Sequence, residues 1–127
     1  ISVMVTTADD APVGGDLVNV AVVANTIVIG IDGTSQQDWL TGPHARRPGD
    51  ANRWNSHVRN LIEDVKEFAM VQYDIGSVDW DYGSDCPAIA TRMVERAEET
   101  IKDAGGGTTI AVVGWSRGGM IAIQVAN

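Results

Sequence analysis

Apolar positions in the first third of the chain fall in short β-branched blocks rather than at helical spacing. Residues 1–7 (ISVMVTT) and 17–24 (LVNVAVVA) are separated by Asp9-Asp10, Pro12 and Gly14-Gly15, all turn formers, so the pattern predicts an N-terminal β-hairpin. After Asn25-Thr26 comes 27–31 (IVIGI), apolar on both faces as in a strand buried within a parallel sheet, and it stops at Asp32-Gly33-Thr34. Residues 35–52 then read as a polar loop with Gly42, Pro43, Pro48 and Gly49, long enough for a lid or binding role.

Beyond this loop the period becomes helical. Val58, Leu61, Ile62, Val65, Phe68 and Ala69 recur at i, i+3, i+4 and i+7, which predicts a helix over about 54–69 with one stripe on the sheet. A short strand, 70–73, is followed by a second irregular loop, 74–85, rich in Asp and Gly. Pro87 suits a first helical turn with Asp85 as the nearby cap, and Ile89, Ala90, Met93, Val94, Ala97 and Ile101 carry that helix until Gly105-Gly106-Gly107 stops it. Residues 108–113 (TTIAVV) form a strong strand, expected like 27–31 to be buried on both sides, and 120–126 begin a further helix. Strands alternating with helices predict an α/β fold, a mostly parallel sheet with helices on both faces, in a single domain over 1–127.

Composition narrows the class further. With 44% hydrophobic and 20% charged residues the chain is too apolar for a disordered tail, and its one cysteine, Cys86, has no partner for an internal disulfide. The longest apolar stretch, 17–31, is short and broken by Asn19 and Asn25, so no transmembrane segment is expected. Asp9, Asp10 and Asp16 stand where a signal peptide would carry Lys or Arg; the expected location is cytoplasmic, or outside the cell by a route without such a leader. The net charge of −8 is uneven, since residues 1–45 hold no Lys or Arg. The one basic cluster, Arg46, Arg47, Arg53 and Arg59, is interleaved with Asp50 and reads as a solvated, locally salt-bridged face, so nucleic acid is not an expected partner.

Gly114-Trp115-Ser116-Arg117-Gly118 matches G-x-S-x-G, and its setting gives the match weight: a buried strand enters it and an apolar helix leaves it, the context of a nucleophile elbow. A serine held in such a turn needs small residues two before and two after it, which Gly114 and Gly118 supply, with Gly119 expected to add room. Ser116 is therefore the candidate nucleophile, and the Arg117 backbone N–H the first candidate oxyanion donor. The second donor is expected from the loop after a neighbouring strand, where Gly33 and Thr34 lie; the plainer alternative is that Gly33 only makes a turn and Asp32 caps the next segment.

In order, I-x-I-D-G-T, a helix with S-H-V-R-N-L, Y-D-I-G, an amphipathic helix and V-V-G-W-S-R-G-G resemble the α/β-hydrolase-like proteins of the type VI secretion phospholipase effectors and their uncharacterised relatives. The resemblance spans residues 28–120. It implies an α/β-hydrolase-like fold with Ser116 as nucleophile and Gly33, Thr34 and Arg117 framing the oxyanion hole. The sequence departs from the family at Trp115, where the family has Phe, and at Ser56-His57-Val58, where it tends to Thr-Asn-Val.

In α/β-hydrolases the acid and the histidine come after the serine, and the 11 residues after Ser116 contain neither. The expectation is an N-terminal portion of a larger hydrolase whose remaining sequence, or a second chain, supplies the base and covers the sheet; the 127 residues alone should be nearly inactive. His44 and His57 are upstream alternatives for the base, more simply read as a loop residue and a helix-surface residue. Asp79, Asp81 and Asp85 have the density of a calcium or magnesium loop, but Gly83 and Ala90 stand at its fifth and twelfth positions, so a solvated capping loop is the simpler reading. No metal and no cofactor is expected. Trp39, Trp54 and Trp80 could line an acyl pocket or pack where loops meet the core, and Cys86 reads as a reduced, partly buried thiol.

Two functions are compatible with these residues. One is a serine esterase or lipase acting on small-molecule or lipid esters, phospholipids included. The other is a non-catalytic α/β binding module that keeps the elbow as a turn and binds through loops 35–52 and 74–86.

Overall fold

The computed structural model describes residues 25–34, 45–47 and 49–127. The expected N-terminal hairpin, Trp39, His44 and most of the 35–52 loop lie outside them. In chain order the elements are β1 (Thr26–Ile31), β2 (Arg46–Arg47), β3 (Asp50–Trp54), α1 (His57–Val65), β4 (Met70–Asp74), α2 (Cys86–Asp103), β5 (Thr109–Gly114) and α3 (Arg117–Ala126). Strands β4, β1 and β5 form a parallel sheet in that order, with Gly30 opposite both Tyr73 and Val113. All three strands therefore end at one edge, and the loops that leave them share it.

Alternation along β1 builds two cores. Ile27, Ile29 and Ile31, all fully buried, pack against Ile89, Ala90, Met93 and Ala97 of α2 and Ile121 and Ala122 of α3. On the opposite face Val28 meets Ile62 of α1 and Ala111 of β5. A Cβ at Gly30 would sit 2.7 Å from Ile62 Cγ1 and 2.9 Å from Val58 Cγ1, so glycine there lets α1 lie directly on the sheet. The result is an α/β architecture with helices on both faces of a parallel sheet.

Four expectations are corrected. Helix α1 is shorter than 54–69: Trp54 ends β3, Ser56 caps the helix by accepting a hydrogen bond from the Arg59 amide (3.0 Å), and the chain turns after Val65, leaving Phe68 61% exposed. Part of the expected loop is an antiparallel pair, β2 with β3, irregular between Arg46 and Arg47. Asn60, buried on α1, holds this pair: its side chain accepts from the Trp54 amide (2.7 Å) and donates to the Trp54 carbonyl (2.8 Å). Asp85 stands at the N-cap of α2 without capping it, because its carboxylate turns to Ser77 and Val78. Strand β5 is not buried on both sides: Thr109 and Ile110 are exposed, since among the described residues it has a strand neighbour on one side only.

The glycines after α2 act as expected. Gly105, Gly106 and Gly107 all have positive φ, and the Gly106 amide returns to the Ile101 carbonyl, closing the helix. Among the described residues no helix is long and apolar enough to cross a membrane.

Candidate active site at the sheet edge

Between Gly114, the last residue of β5, and Arg117, the first of α3, the chain reverses in two residues. Ser116 has φ 55° and ψ −125°, the one non-glycine residue with positive φ among those described. A side chain there costs of order 1–3 kcal/mol, so surrounding contacts must hold it. They do so through close backbone packing. A Cβ on Gly114 would run into the Gly118 carbonyl, and one on Gly118 into the carbonyls of Ile31 and Asp32. The Gly118 amide donates to the Trp115 carbonyl and the Gly119 amide to the Ser116 carbonyl, both at 2.9 Å. Gly119 itself would meet only ordinary contacts at 3.7 Å, so its expected role in making room is not required.

The Ser116 side chain is exposed and caps nothing in its helix. The Arg117 amide, at the first helical position, belongs to the four N–H groups a helix leaves without an intrahelical partner. The Trp115 amide donates to the Ile31 carbonyl (3.1 Å), which brings the loops after β1 and β5 to one level. Gly33 is buried there: a Cβ on it would lie 3.1 Å from both Ser116 Cβ and the Trp115 carbonyl. Thr34 comes next, half-buried, in a turn.

The segment that Asp32 is expected to cap lies outside the described residues, and what the structure gives is its partners among the described ones. Asp32 is 2% exposed, and its Oδ2 accepts hydrogen bonds from Ser56 Oγ (2.6 Å) and the Tyr73 hydroxyl (2.5 Å). Its amide donates to the Asp74 carbonyl at 3.0 Å. Gly76, at φ +86°, packs its α-carbon so closely on the Asp32 carbonyl that no side chain fits. Tyr73 stays a phenol: burial, and then its bond to Asp32, push its ionisation far above the ordinary value.

The Arg117 side chain has a role the motif did not reveal. Its guanidinium donates to the carbonyls of Asp79 and Trp80 (3.2 Å for the latter) and lies 3.5 Å from Ser77 Oγ, while Gly83 leaves space for its stem. It thereby fixes the 77–85 loop beside Ser116. That loop is tied internally as well. Asp79 accepts from the Ser84 hydroxyl (2.5 Å) and amide (2.8 Å), and these bonds hold its carboxyl down at about 2. Asp85 accepts from Ser77 Oγ (2.5 Å) and the Val78 amide (2.8 Å), which lowers its ionisation also, the Ser77 bond contributing most. The structure therefore turns Asp79 and Asp85 into loop fasteners and does not gather them with Asp81; among the described residues no three His, Cys, Asp or Glu side chains are grouped to hold a metal ion. Val78, Trp80 and Tyr82 remain exposed on this loop.

The other candidates separate. His57 is exposed, its Nδ1 3.4 Å from an Arg47 guanidinium nitrogen, and no described histidine hydrogen-bonds Ser116. With Asp32, Asn55, Ser56 and Trp115 it lines a cavity of about 140 Å³. Of the four arginines, Arg53 pairs with Asp64 and Arg59 with Glu63, while Arg46 stacks over Trp54. Cys86 is a free, half-buried thiol.

Comparison of the chain with protein-family models, curated proteins and solved structures finds no match.

Proposed function

We propose that this chain carries the nucleophile and oxyanion elements of a serine hydrolase acting on carboxylic esters, lipid esters among them. One observation carries the proposal: Ser116 is exposed in a strained backbone conformation, held over the sheet edge by Gly114 and Gly118, with Gly33 packed against it. A purely structural turn gains nothing from strain at a serine, whereas a nucleophile gains access and alignment. The strand order β4-β1-β5, with the serine after β5 and the glycine loop after β1, supports an α/β-hydrolase-like fold.

In this mechanism Ser116 Oγ attacks the ester carbonyl as a base takes its proton. The oxygen, now an oxyanion, is received by the Arg117 amide and by the backbone at Gly33-Thr34. Collapse expels the alcohol, which takes up the proton, and leaves an acyl-serine. Water then attacks the acyl group, releasing the acid and restoring the hydroxyl. No described residue stands as the base at Ser116, and it is assigned to sequence or to a chain beyond them.

A second reading, a binding module, is favoured by the exposed Val78, Trp80 and Tyr82, which the Arg117-fastened loop presents together. Ester hydrolysis by the intact protein, measured beside Ser116→Ala, separates the two. Hydrolysis lost by about 10⁴-fold or more in kcat supports the enzyme. Absence of any Ser116-dependent turnover supports the module.

A further inference from the structure

Resting on that reading of Ser116, we propose that Asp32 is the positioning residue of the site: its carboxylate, through Ser56 and Tyr73, sets the Gly33-Thr34 backbone against the nucleophile. Four separate segments converge on this one residue. Ser56, before α1, and Tyr73, on β4, donate to the same oxygen at 2.6 and 2.5 Å. Gly76, after β4, and Gly118, on α3, press their α-carbons on the Asp32 carbonyl from the loop and helix sides. Backbone and side chain are both fixed, and the next residue along is the one that touches Ser116.

The choice of a carboxylate is informative. A carboxylate at 2% exposure is costly to bury, and a core position could be filled by an apolar residue at lower cost. Among the described residues Asp32 neither caps a helix nor forms an ion pair. Among those residues it accepts two short hydroxyl bonds at one atom, which fixes the direction of the chain where it leaves β1. Charge-assisted bonds of this kind are shorter and roughly twice as strong as neutral ones, which suits a joint that must hold an oxyanion donor to within a fraction of an ångström. Tyr73 donates from the sheet and Ser56 from the cap of α1, so the joint refers the loop to both the sheet and the helix on its face.

The test uses the intact protein and four variants, Asp32→Ala, Asp32→Asn, Tyr73→Phe and Ser116→Ala, assayed for kcat and KM on one ester. Affinity for the trifluoromethyl ketone analogue of that ester, whose adduct with a serine carries an oxyanion, is measured in parallel. Asp32→Ala should lower kcat about 10- to 100-fold with KM within about twofold, and weaken the ketone by the same factor. Asp32→Asn keeps an oxygen that can accept both hydroxyls in weaker, neutral bonds and should recover part of the loss. Tyr73→Phe removes one anchor and almost no volume, and should cost about tenfold in kcat. If Asp32→Ala does not fold, Asp32→Asn and Tyr73→Phe decide. Turnover that depends on Ser116 but is indifferent to folded Asp32 and Tyr73 variants overturns the positioning role and leaves the hydrolase standing. Loss in Asp32→Asn as deep as in Asp32→Ala, with Tyr73→Phe unaffected, also overturns it, by showing that the hydroxyl bonds do not carry the effect. Turnover unchanged in Ser116→Ala overturns both.

Discussion

Gly33 and Ser116 lie 83 positions apart in sequence and in contact in space, such that a single carbon added to Gly33 would stand 3.1 Å from the Ser116 Cβ. The contact arises from parallel pairing: Ile31 is in register with Gly114, so the residues two beyond each strand end meet at the same edge. Gly33→Ala should therefore be a functional rather than a folding variant. Its Cβ is tight but does not overlap, so the neighbours shift by a few tenths of an ångström. The expected result is a fall of about tenfold or more in kcat with melting changed by only a few degrees, read from paired kinetics and calorimetry.

Gly118→Ala should behave oppositely. The added carbon runs into two carbonyl oxygens at the end of β1 and its exit, where backbone cannot give way without moving the central strand. A loss of about 1–3 kcal/mol in stability is expected, measured by urea unfolding. Unchanged stability would mean that the elbow is looser than its geometry.

Ser116→Gly tests the strain itself. Glycine tolerates φ 55°, whereas alanine does not, so Ser116→Gly should melt a few degrees above Ser116→Ala while both lack activity. Equal melting temperatures would place no strain at this residue.

The 77–85 loop should respond to acid in a defined window. Asp79 is held at about 2, below its ordinary value of 3.8, so its hydrogen bonds favour the folded loop at all pH above that ordinary value. Their contribution declines as pH falls from about 4 and is gone below about 2; Asp85, also lowered, acts in the same direction. Exchange of the Ser84 and Val78 amides should be steady from neutral pH to about 4, after correction for intrinsic rates, and lose protection below it. Arg117→Ala should raise exchange in the same loop at neutral pH, since the loop then loses its fastening to α3.

Much of this fold was legible in the order of residues. The β-branched run at 27–31 announced the central strand because it is apolar at every position, and the glycines around Ser116 announced the tight strand-to-helix turn because their spacing has a steric reason. What remained hidden depends on distant partners. Nothing near Asp32 in sequence indicates Ser56, 24 positions on, or Tyr73, 41 positions on, as its donors. The β2–β3 pair was concealed by its short, arginine-rich strands, which carry no alternation, and Trp54 counted toward a helix because the clamp from Asn60 is a side chain imitating a strand. The reach of the Arg117 side chain was likewise invisible, since the motif explains only its backbone.

Labelling at Ser116 separates a reactive nucleophile from a serine that only turns the chain. A fluorophosphonate ester incubated with the intact protein should phosphonylate the Ser116 hydroxyl with loss of fluoride, giving one adduct on the peptide that contains Ser116 and none in Ser116→Ala. Absence of the adduct from folded protein, or an adduct on another residue accompanied by turnover that survives Ser116→Ala, would contradict a serine hydrolase built on this elbow.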